Sequence, residues 1–244
     1  MCAGRLIVNA DDWGRDPRTT DMIAACVSAG AVSSVSAMVF MEDSERAAAV
    51  AQERAIDAGL HLNFTTPFSS SAAGTRLVEH QRATARFLRS HRLAQVVFHP
   101  GLVRSFSYVA AAQVDEFRRL YQREPARFDG HHHMHLCANV LVQRLLPSGT
   151  MVRRSFSFER GEKSYANRFY RRMVDRLLIR RRHQVTDFFY SIAPLHPPDR
   201  LERVVGLSKQ SIVELETHPA DRDEYRFLTE GGLARALGAA RRST

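Results

Sequence analysis

The densest cluster of chemically reactive side chains lies at positions 129–135, which read DGHHHMH. This segment holds four of the chain's eleven histidines within five positions. Neutral imidazole is the commonest metal ligand, and neighbouring carboxylates orient such ligands. The tract is internal and flanked by the apolar Phe128 and Leu136. These features favour a metal site over the alternative, a surface histidine tract that binds metal adventitiously.

Two adjacent carboxylates, Asp11 and Asp12, directly follow an apolar run at positions 6–10. That run is typical of a buried strand in a parallel sheet. Because a buried charge must be compensated, paired carboxylates at the end of such a strand indicate a functional role. A helix N-cap or a solvated turn is the alternative interpretation.

A third polar motif is GLHLNFT at positions 59–65. Alternation along a strand places His61, Asn63 and Thr65 on one face and apolar residues on the other. A single strand histidine is more often structural than a metal ligand. The neighbouring amide and hydroxyl nevertheless favour a polar pocket over a core position.

The fourth motif, VELETHP, occupies positions 213–219. Glu214, Glu216 and His218 share one face of a predicted strand, and His218 stands at its end before a proline. A histidine in that place suits acid–base catalysis. A capping or surface histidine is the alternative.

Together the four motifs supply carboxylates and imidazoles but no thiolate. A site of one carboxylate and two histidines with open positions suits zinc or another divalent ion that carries water and substrate.

Each motif falls at the end of a predicted strand. Strands are expected at 6–10, 34–40, 59–65, 128–136, 185–192 and 211–217, and helices at 21–29, 44–53 (with Ser44 as N-cap), 111–122 and 164–182. Positions 67–84 are rich in Ser, Ala and Gly and are expected to form a loop over the site. The alternation predicts an α/β single domain over residues 1–244. Its architecture should be barrel-like, with the active site at the C-terminal ends of the strands.

Composition predicts a cytoplasmic protein. No apolar run approaches the roughly 18 residues of a membrane span, and Asp11 and Asp12 interrupt the first apolar run, so no signal peptide is expected. The cysteines Cys2, Cys26 and Cys137 are an odd, scattered set, which fits a reducing compartment.

The net charge of +9 is concentrated between Arg153 and Arg182. Eleven Arg and Lys residues there oppose three acidic residues, a local charge of +8. The helical period predicts an apolar face and an arginine face on opposite sides of a helix, which an ordinary outer helix would turn inward and outward. We expect this surface to meet an anionic partner, the phosphate of a lipid-linked sugar or an anionic membrane. A plain solvated face is the alternative, and no nucleic acid is expected.

The motifs resemble those of the YdjC-like carbohydrate deacetylases, a family that includes chitooligosaccharide and hopanoid-pathway deacetylases. The resemblance runs through LIVNADDWG at 6–14, the VSS strand after Gly30, GLHLN at 59–63, DGHHHMH at 129–135 and positions 214–219, in this order. Trp13 stands where the family usually has Phe. The arginine-rich stretch is not typical of the oligosaccharide-specific members.

The resemblance implies an irregular barrel related to the (β/α) or TIM barrel. It implies a divalent metal, zinc or magnesium, on Asp12, His61 and His131. It also gives Asp11 the role of general base and His218 that of the second acid–base residue. Homodimers occur among the members.

The function implied is removal of the N-acetyl group from an N-acetylated sugar, with release of acetate. Asn63 and Glu214 are expected to contact the substrate, and Asp129 to orient a histidine ligand. Two alternatives stay open: a nucleic-acid or membrane-surface binding protein on a degenerate hydrolase fold, and a metal-dependent hydrolase of another bond.

Overall fold

A computed structural model describes residues 4–91, 93–158 and 162–242, with no side chains described for 241 and 242. Its framework is one sheet of seven parallel strands. The strands are β1 (Arg5–Trp13), β2 (Ser34–Ala37), β3 (Ala58–Leu62), β4 (Arg127–Gly130), β5 (Met151–Val152), β6 (Phe188–Ser191) and β7 (Ile212–Thr217). Cys2, Arg160 and Glu159 lie outside the described residues.

The strands run in the order β5-β4-β3-β2-β1-β7-β6, so β1 lies inside the sheet and pairs with both β2 and β7. The sheet curls into a barrel that strand pairing does not fully close. Between the edge strands, a single parallel bridge joins Met151 to Gln184, and Ser157 N donates to Phe189 O over 2.7 Å. The predicted irregular α/β barrel is confirmed.

Helices surround the sheet and bury apolar residues in the core. They are α1 (Pro17–Ser28), α2 (Ser44–Glu53), α3 (Thr75–Ser90), α4 (Val103–Tyr121), α5 (Ala138–Gln143), α6 (Tyr165–Arg180), α7 (Pro198–Leu207), α8 (Arg222–Thr229) and α9 (Gly232–Arg242). Residues 94–96, 100–102 and 131–136 form 3-10 turns. Within the described residues, no helix is both long and apolar enough to span a membrane.

β1 shows why the polar motifs stand at strand ends. Its residues from Ile7 to Trp13 are all buried, and Trp13 is accommodated because its indole NH donates to Ala47 O over 3.2 Å. A strand covered on both faces requires a near-continuous apolar run. Charged side chains are therefore left to its carboxyl end, where the barrel opens.

Two sequence predictions about local structure are wrong. Positions 75–84 of the expected loop belong to α3, whose buried Leu77, Gln81, Thr84 and Leu88 follow a helical period. Asp43, not Ser44, is the N-cap of α2, while the Ser44 hydroxyl bonds to the backbone of Met41 and Met38.

The expected strand at 128–136 ends at Gly130. His132 and His133 have φ of 54° and 58°, so the chain turns tightly and the histidines do not alternate along one face. A Cβ on Gly130 would lie 2.9 Å from His135 N and 3.1 Å from Leu62 O. The close approach of these segments requires glycine here.

The expected division of α6 into an apolar inner and a cationic outer side is also wrong. Val174 and Leu178 are buried, but Tyr165 and Phe169 are 86% and 63% exposed. Arg153, the first residue of the basic stretch, is fully buried instead of lying on the surface.

Candidate active site

The predicted site residues converge at the carboxyl ends of β1, β3, β4 and β7. His61 on β3 is directly opposite Asp129 on β4, and Asn9 on β1 is opposite Glu216 on β7. His131 follows β4 and His218 follows β7. Parallel strands end at one rim of the barrel, so residues far apart in sequence become neighbours there.

Asp12 lies at the centre of the histidine side of the site. Its Oδ1 atom is 3.0 Å from His131 Nδ1 and 3.5 Å from His61 Nε2. Its Oδ2 atom accepts from Arg15 Nη1 over 2.6 Å. Asp12 has φ of 68°, a left-handed conformation that is rare for a residue with a side chain and recurs at functional sites.

His61 is oriented by a second carboxylate. Its Nδ1 atom is 2.7 Å from Asp129 Oδ1, and Asp129 Oδ2 accepts from the Ser36 hydroxyl. This leaves His61 Nε2 facing Asp12. A carboxylate behind an imidazole, with the other nitrogen aimed into the site, is the arrangement that fixes a metal-binding tautomer.

The donor set of Asp12, His61 and His131 fits a divalent metal. Their ligand atoms all lie within 4.8 Å of one another. One carboxylate and two imidazoles without a thiolate suit zinc, with open positions for water and substrate. Arg15 engages the second Asp12 oxygen, which leaves Oδ1 as the atom directed at the histidines.

Arg153 dominates the other side of the site. Both of its Nη atoms donate to Asp11 over 2.7 Å, and its Nε donates to Glu214 Oε1 over 2.7 Å. Nη2 is also 3.2 Å from Asp129 Oδ2, and Nη1 is 3.7 Å from Glu216 Oε1. One buried guanidinium therefore links carboxylates from β1, β4 and β7.

These contacts determine which carboxyls are ionised. Burial alone would raise the pKa of Asp11, but the charge of Arg153, with that of His61, lowers it well below its usual value. The pKa of Asp12 falls to about 2 against the same burial, through the His131 hydrogen bond and His61. Arg153 and His61 likewise lower the pKa of Asp129 to about 2. Asp11 and Asp12 are both carboxylates at neutral pH.

Glu216 has the opposite tendency. Burial and the nearby Asp11 charge raise its pKa well above the usual value of a glutamate. Its Oε1 atom lies 3.7 Å from His133 Nε2 and 3.7 Å from His218 Nε2. Glu216 thus ionises less readily than an ordinary glutamate and lies between two imidazoles at the rim.

His218 stands at the open side. Its side chain is 43% exposed, and Nε2 lies 4.0 Å from Asp11 Oδ2. The backbone N of His218 donates to Glu224 Oε2 over 2.7 Å, which fixes the end of β7. At this position His218 would be accessible to an incoming substrate for acid–base catalysis.

The two residues expected to contact substrate lie beneath the site. Glu214 is 1% exposed and bonded to Arg153. Asn63 is fully buried, and its amide donates to Thr66 O over 2.7 Å. Substrate contact by Glu214 and Asn63 stays a prediction, and their observed contacts are with the protein itself.

Sequence reasoning gave no site role to Arg153, Arg15 or Ser36, and it placed Glu216 on the face of His218 without giving it a role. Charge balance alone points to one of them: four carboxylates, Asp11, Asp129, Glu214 and Glu216, crowd one buried region, which requires a buried cation. Within the sequence, Arg153 is indistinguishable from the exposed arginines that follow it.

Comparison with known proteins extends over almost the whole chain. The model of the YdjC-like protein family matches residues 5–240. The chain belongs to the YdjC-like family. The predicted membership is therefore confirmed.

Curated relatives carry deacetylase names. A carbohydrate deacetylase of Mus musculus is 31% identical over 142 residues, which cover 56% of this chain and 44% of the relative. A chitooligosaccharide deacetylase of Yersinia pestis (strain Pestoides F) is 30% identical over 144 residues, 55% of this chain and 52% of the relative. The chain spans about half the length of the curated relatives that it matches.

A solved structure from Enterococcus faecalis V583, described as a candidate cellobiose-phosphate cleavage protein, has the same fold as this YdjC-like chain. The TM-score is 0.70, with 98% of this chain and 95% of that one covered. At 18% sequence identity this likeness is one of fold.

Proposed function

We propose that this chain is a metal-dependent hydrolase that removes the acetyl group of an N-acetylated sugar and releases acetate. The observation that carries the proposal is the convergence of Asp12, His61 and His131 beside an ionised Asp11 at the open rim of the barrel. The deacetylase names of the relatives supply the substrate class.

In this proposal Asp12, His61 and His131 hold a divalent ion, zinc or magnesium. When bound, such an ion supplies Lewis acidity toward the amide carbonyl and lowers the pKa of water. Asp129 keeps His61 in the required tautomer, and Arg15 keeps Asp12 directed at the two histidines.

Asp11 takes a proton from the attacking water. Arg153 holds both Asp11 oxygens, so the carboxylate is ionised and fixed before substrate arrives. A carboxylate with so low a pKa is a weak base, so its contribution depends on placement more than on proton affinity. The buried position also strengthens its electrostatic interactions with charge that develops during the reaction.

His218 gives a proton to the leaving amine. It is the exposed member of the site and lies within 4.0 Å of Asp11 and 3.7 Å of Glu216. Glu216, whose pKa is raised by burial and by the charge of Asp11, faces the same imidazole with its Oε1 atom 3.7 Å from His218 Nε2. The amine and acetate products leave through the same open side.

The test is an acetate-release screen on chelator-treated protein, with zinc, with magnesium or without added metal. Substrates are free N-acetylhexosamine, its short β-linked oligomers and a lipid-linked N-acetylhexosamine. Metal-dependent acetate release from at least one of them is expected, and the preferred member identifies the sugar class.

Three results would contradict the proposal. Release of phosphate or of a reducing sugar, without acetate, would indicate that another bond is hydrolysed. Stoichiometric metal in variants of Asp12, His61 and His131 would mean that these residues are not the metal ligands. A protein that retains no metal at all would support the binding-protein alternative.

A further inference from the structure

Helix α6 presents mixed apolar and cationic side chains to solvent. Tyr165, Phe169, Met173 and Ile179 are exposed large hydrophobics, at 86%, 63%, 43% and 58%. Their helical spacing of four, four and six residues interleaves them on one face with Arg172, Arg176 and Arg180, which are also exposed. An ordinary outer helix would bury such apolar residues.

The apolar surface continues beyond α6 onto its neighbours. A groove of about 380 Å³ runs between α5 and α6. Its lining is Val96, Ala138, Leu141, Val142, Tyr170, Met173, Val174 and Leu177, with Arg176 and Arg180. Val142 is 57% exposed. The segment around Val96 also exposes Leu93, Val97 and Phe98. Exposed apolar patches of this kind mark interaction sites.

The charged side chains of this surface are positive. No Asp or Glu occurs between Glu79 and Asp115, or between Asp129 and Glu159. In the described part of α6 the sole acid is Asp175, which is buried and paired with Arg154 over 2.7 Å. Arg172, Arg176 and Arg180 form no ion pair within the residues that the structure describes.

We propose that the outer face of α6 and the α5–α6 groove, here called the α6 surface, dock on an anionic lipid membrane. A bilayer interface offers anionic headgroups for the arginines and an apolar interior for the aromatic and aliphatic side chains. Guanidinium groups bind phosphate by a planar fork, which suits phospholipid headgroups.

The charge pattern disfavours other occupants. A second copy of this chain, apposed through the same face, would bring uncompensated arginines against arginines. A nucleic acid would engage the arginines but would leave Leu93, Val142 and Ile179 without an apolar partner. The membrane inference rests on the α6 surface alone and does not depend on the proposed hydrolase activity.

The test is co-sedimentation of the full chain with vesicles of phosphatidylglycerol and phosphatidylcholine, with pure phosphatidylcholine vesicles as the neutral reference. The native protein is expected to sediment with the anionic vesicles at low salt and much less at high salt. The triple variant Arg172→Gln, Arg176→Gln, Arg180→Gln is expected to bind on the order of 100-fold more weakly.

A matched control removes three exposed arginines elsewhere: Arg18→Gln, Arg222→Gln, Arg226→Gln. It changes net charge equally and is expected to keep most of the binding, which separates the α6 surface from overall charge. Phe169→Ser with Met173→Ser is expected to weaken vesicle binding about tenfold at either salt concentration, because apolar insertion is not screened.

Three outcomes overturn the inference. The first is no binding of the native protein to anionic vesicles. The second is equal loss in the α6 and control variants, which indicates unspecific charge attraction. The third is a dimer in analytical ultracentrifugation that the Phe169→Ser, Met173→Ser variant dissociates, which assigns the surface to a second copy. Circular dichroism melts confirm that each variant is folded.

Discussion

The candidate site has a histidine side and an arginine side, and each contains one aspartate of the adjacent pair in β1. Asp11 and Asp12 are adjacent in β1, yet Asp12 faces His61 and His131, while Asp11 is clasped by Arg153. Asp12 has the left-handed backbone conformation, and Asp11 does not. Adjacent residues of one type therefore have different partners, and the proposed metal ligand is the one that faces the two histidines.

The largest expected effect is on the histidine side. His61→Ala and His131→Ala are expected to lose both metal and turnover, because each removes an imidazole ligand. Metal content is measured by elemental analysis of the purified variants, with circular dichroism to confirm folding. His132→Ala serves as the matched control, since His132 is not in the ligand set. Full metal content in His61→Ala would place the ligands elsewhere.

The next effect separates the two adjacent carboxylates. Asp11→Asn is expected to retain metal and lose about 10²- to 10⁴-fold in turnover, the usual loss for a general base. Asp12→Asn is expected to lose both metal and turnover. If Asp11→Asn kept near-native turnover with metal bound, the difference between the two sides of the site would not be one of base and ligand.

Substitutions of Arg153 test whether this residue stabilises the fold as well as positioning Asp11. Arg153→Met leaves Asp11, Glu214 and Asp129 without their shared cation and is expected to lower the free energy of unfolding by about 3–5 kcal/mol. Denaturant titration measures this change. Arg153→Lys keeps the charge but not the two-point contact with Asp11, so it is expected to fold and to turn over slowly with metal bound.

If Arg153→Lys turned over substrate at the native rate, two-point positioning of Asp11 would be unnecessary. If Arg153→Met were as stable as the native chain, the carboxylates would be compensated by other groups. The exposed pair Arg118 and Asp115 offers a control, because Arg118→Met is expected to leave the free energy of unfolding almost unchanged.

His218 gives a smaller effect, since it acts at the open rim. His218→Ala is expected to lower the maximal rate with little change in metal content or substrate affinity, because protonation of the leaving amine is lost. The rate loss should shrink for a substrate whose leaving amine needs no protonation. An unchanged rate for the ordinary substrate would assign His218 a structural role.

The smallest effect is on stability in mild acid. Burial lowers the pKa of His135 to about 4, and its Nε2 is 2.9 Å from Arg153 O. Between about pH 6.5 and 4 the unfolded chain binds a proton there that the folded chain does not. This contribution to the free energy of unfolding is complete above pH 6.5 and is lost as the pH falls, by at most about 1.4 kcal/mol per pH unit.

His135→Gln is expected to remove that share of the pH dependence. Denaturant titrations of metal-free native protein and variant, made from pH 7 to 4, measure the difference between the two slopes. Identical slopes would mean that His135 takes up its proton equally in both states.

The sequence alone carried much of the local structure. The apolar run at 6–10 predicted β1, because a strand covered on both faces is nearly continuously apolar. The alternation of apolar and acidic residues at 213–217 predicted β7, because successive side chains of a strand point to opposite faces. The placement of Asp12, His61 and His131 at strand ends also followed, because parallel strands bring their carboxyl ends to one rim. These features depend on short-range patterns that a sequence displays directly.

Tertiary structure decided what the charged residues contact. Arg153 and Arg172 belong to one basic run, yet the first is buried among carboxylates and the second is exposed on α6. The turn at His132 and His133 likewise depends on the close approach of Gly130 to Leu62 and His135. A charge is buried only where distant segments supply its counter-charge. That pairing across more than a hundred residues, as between Asp11 and Arg153, is set by the curling of the sheet and not by any local pattern.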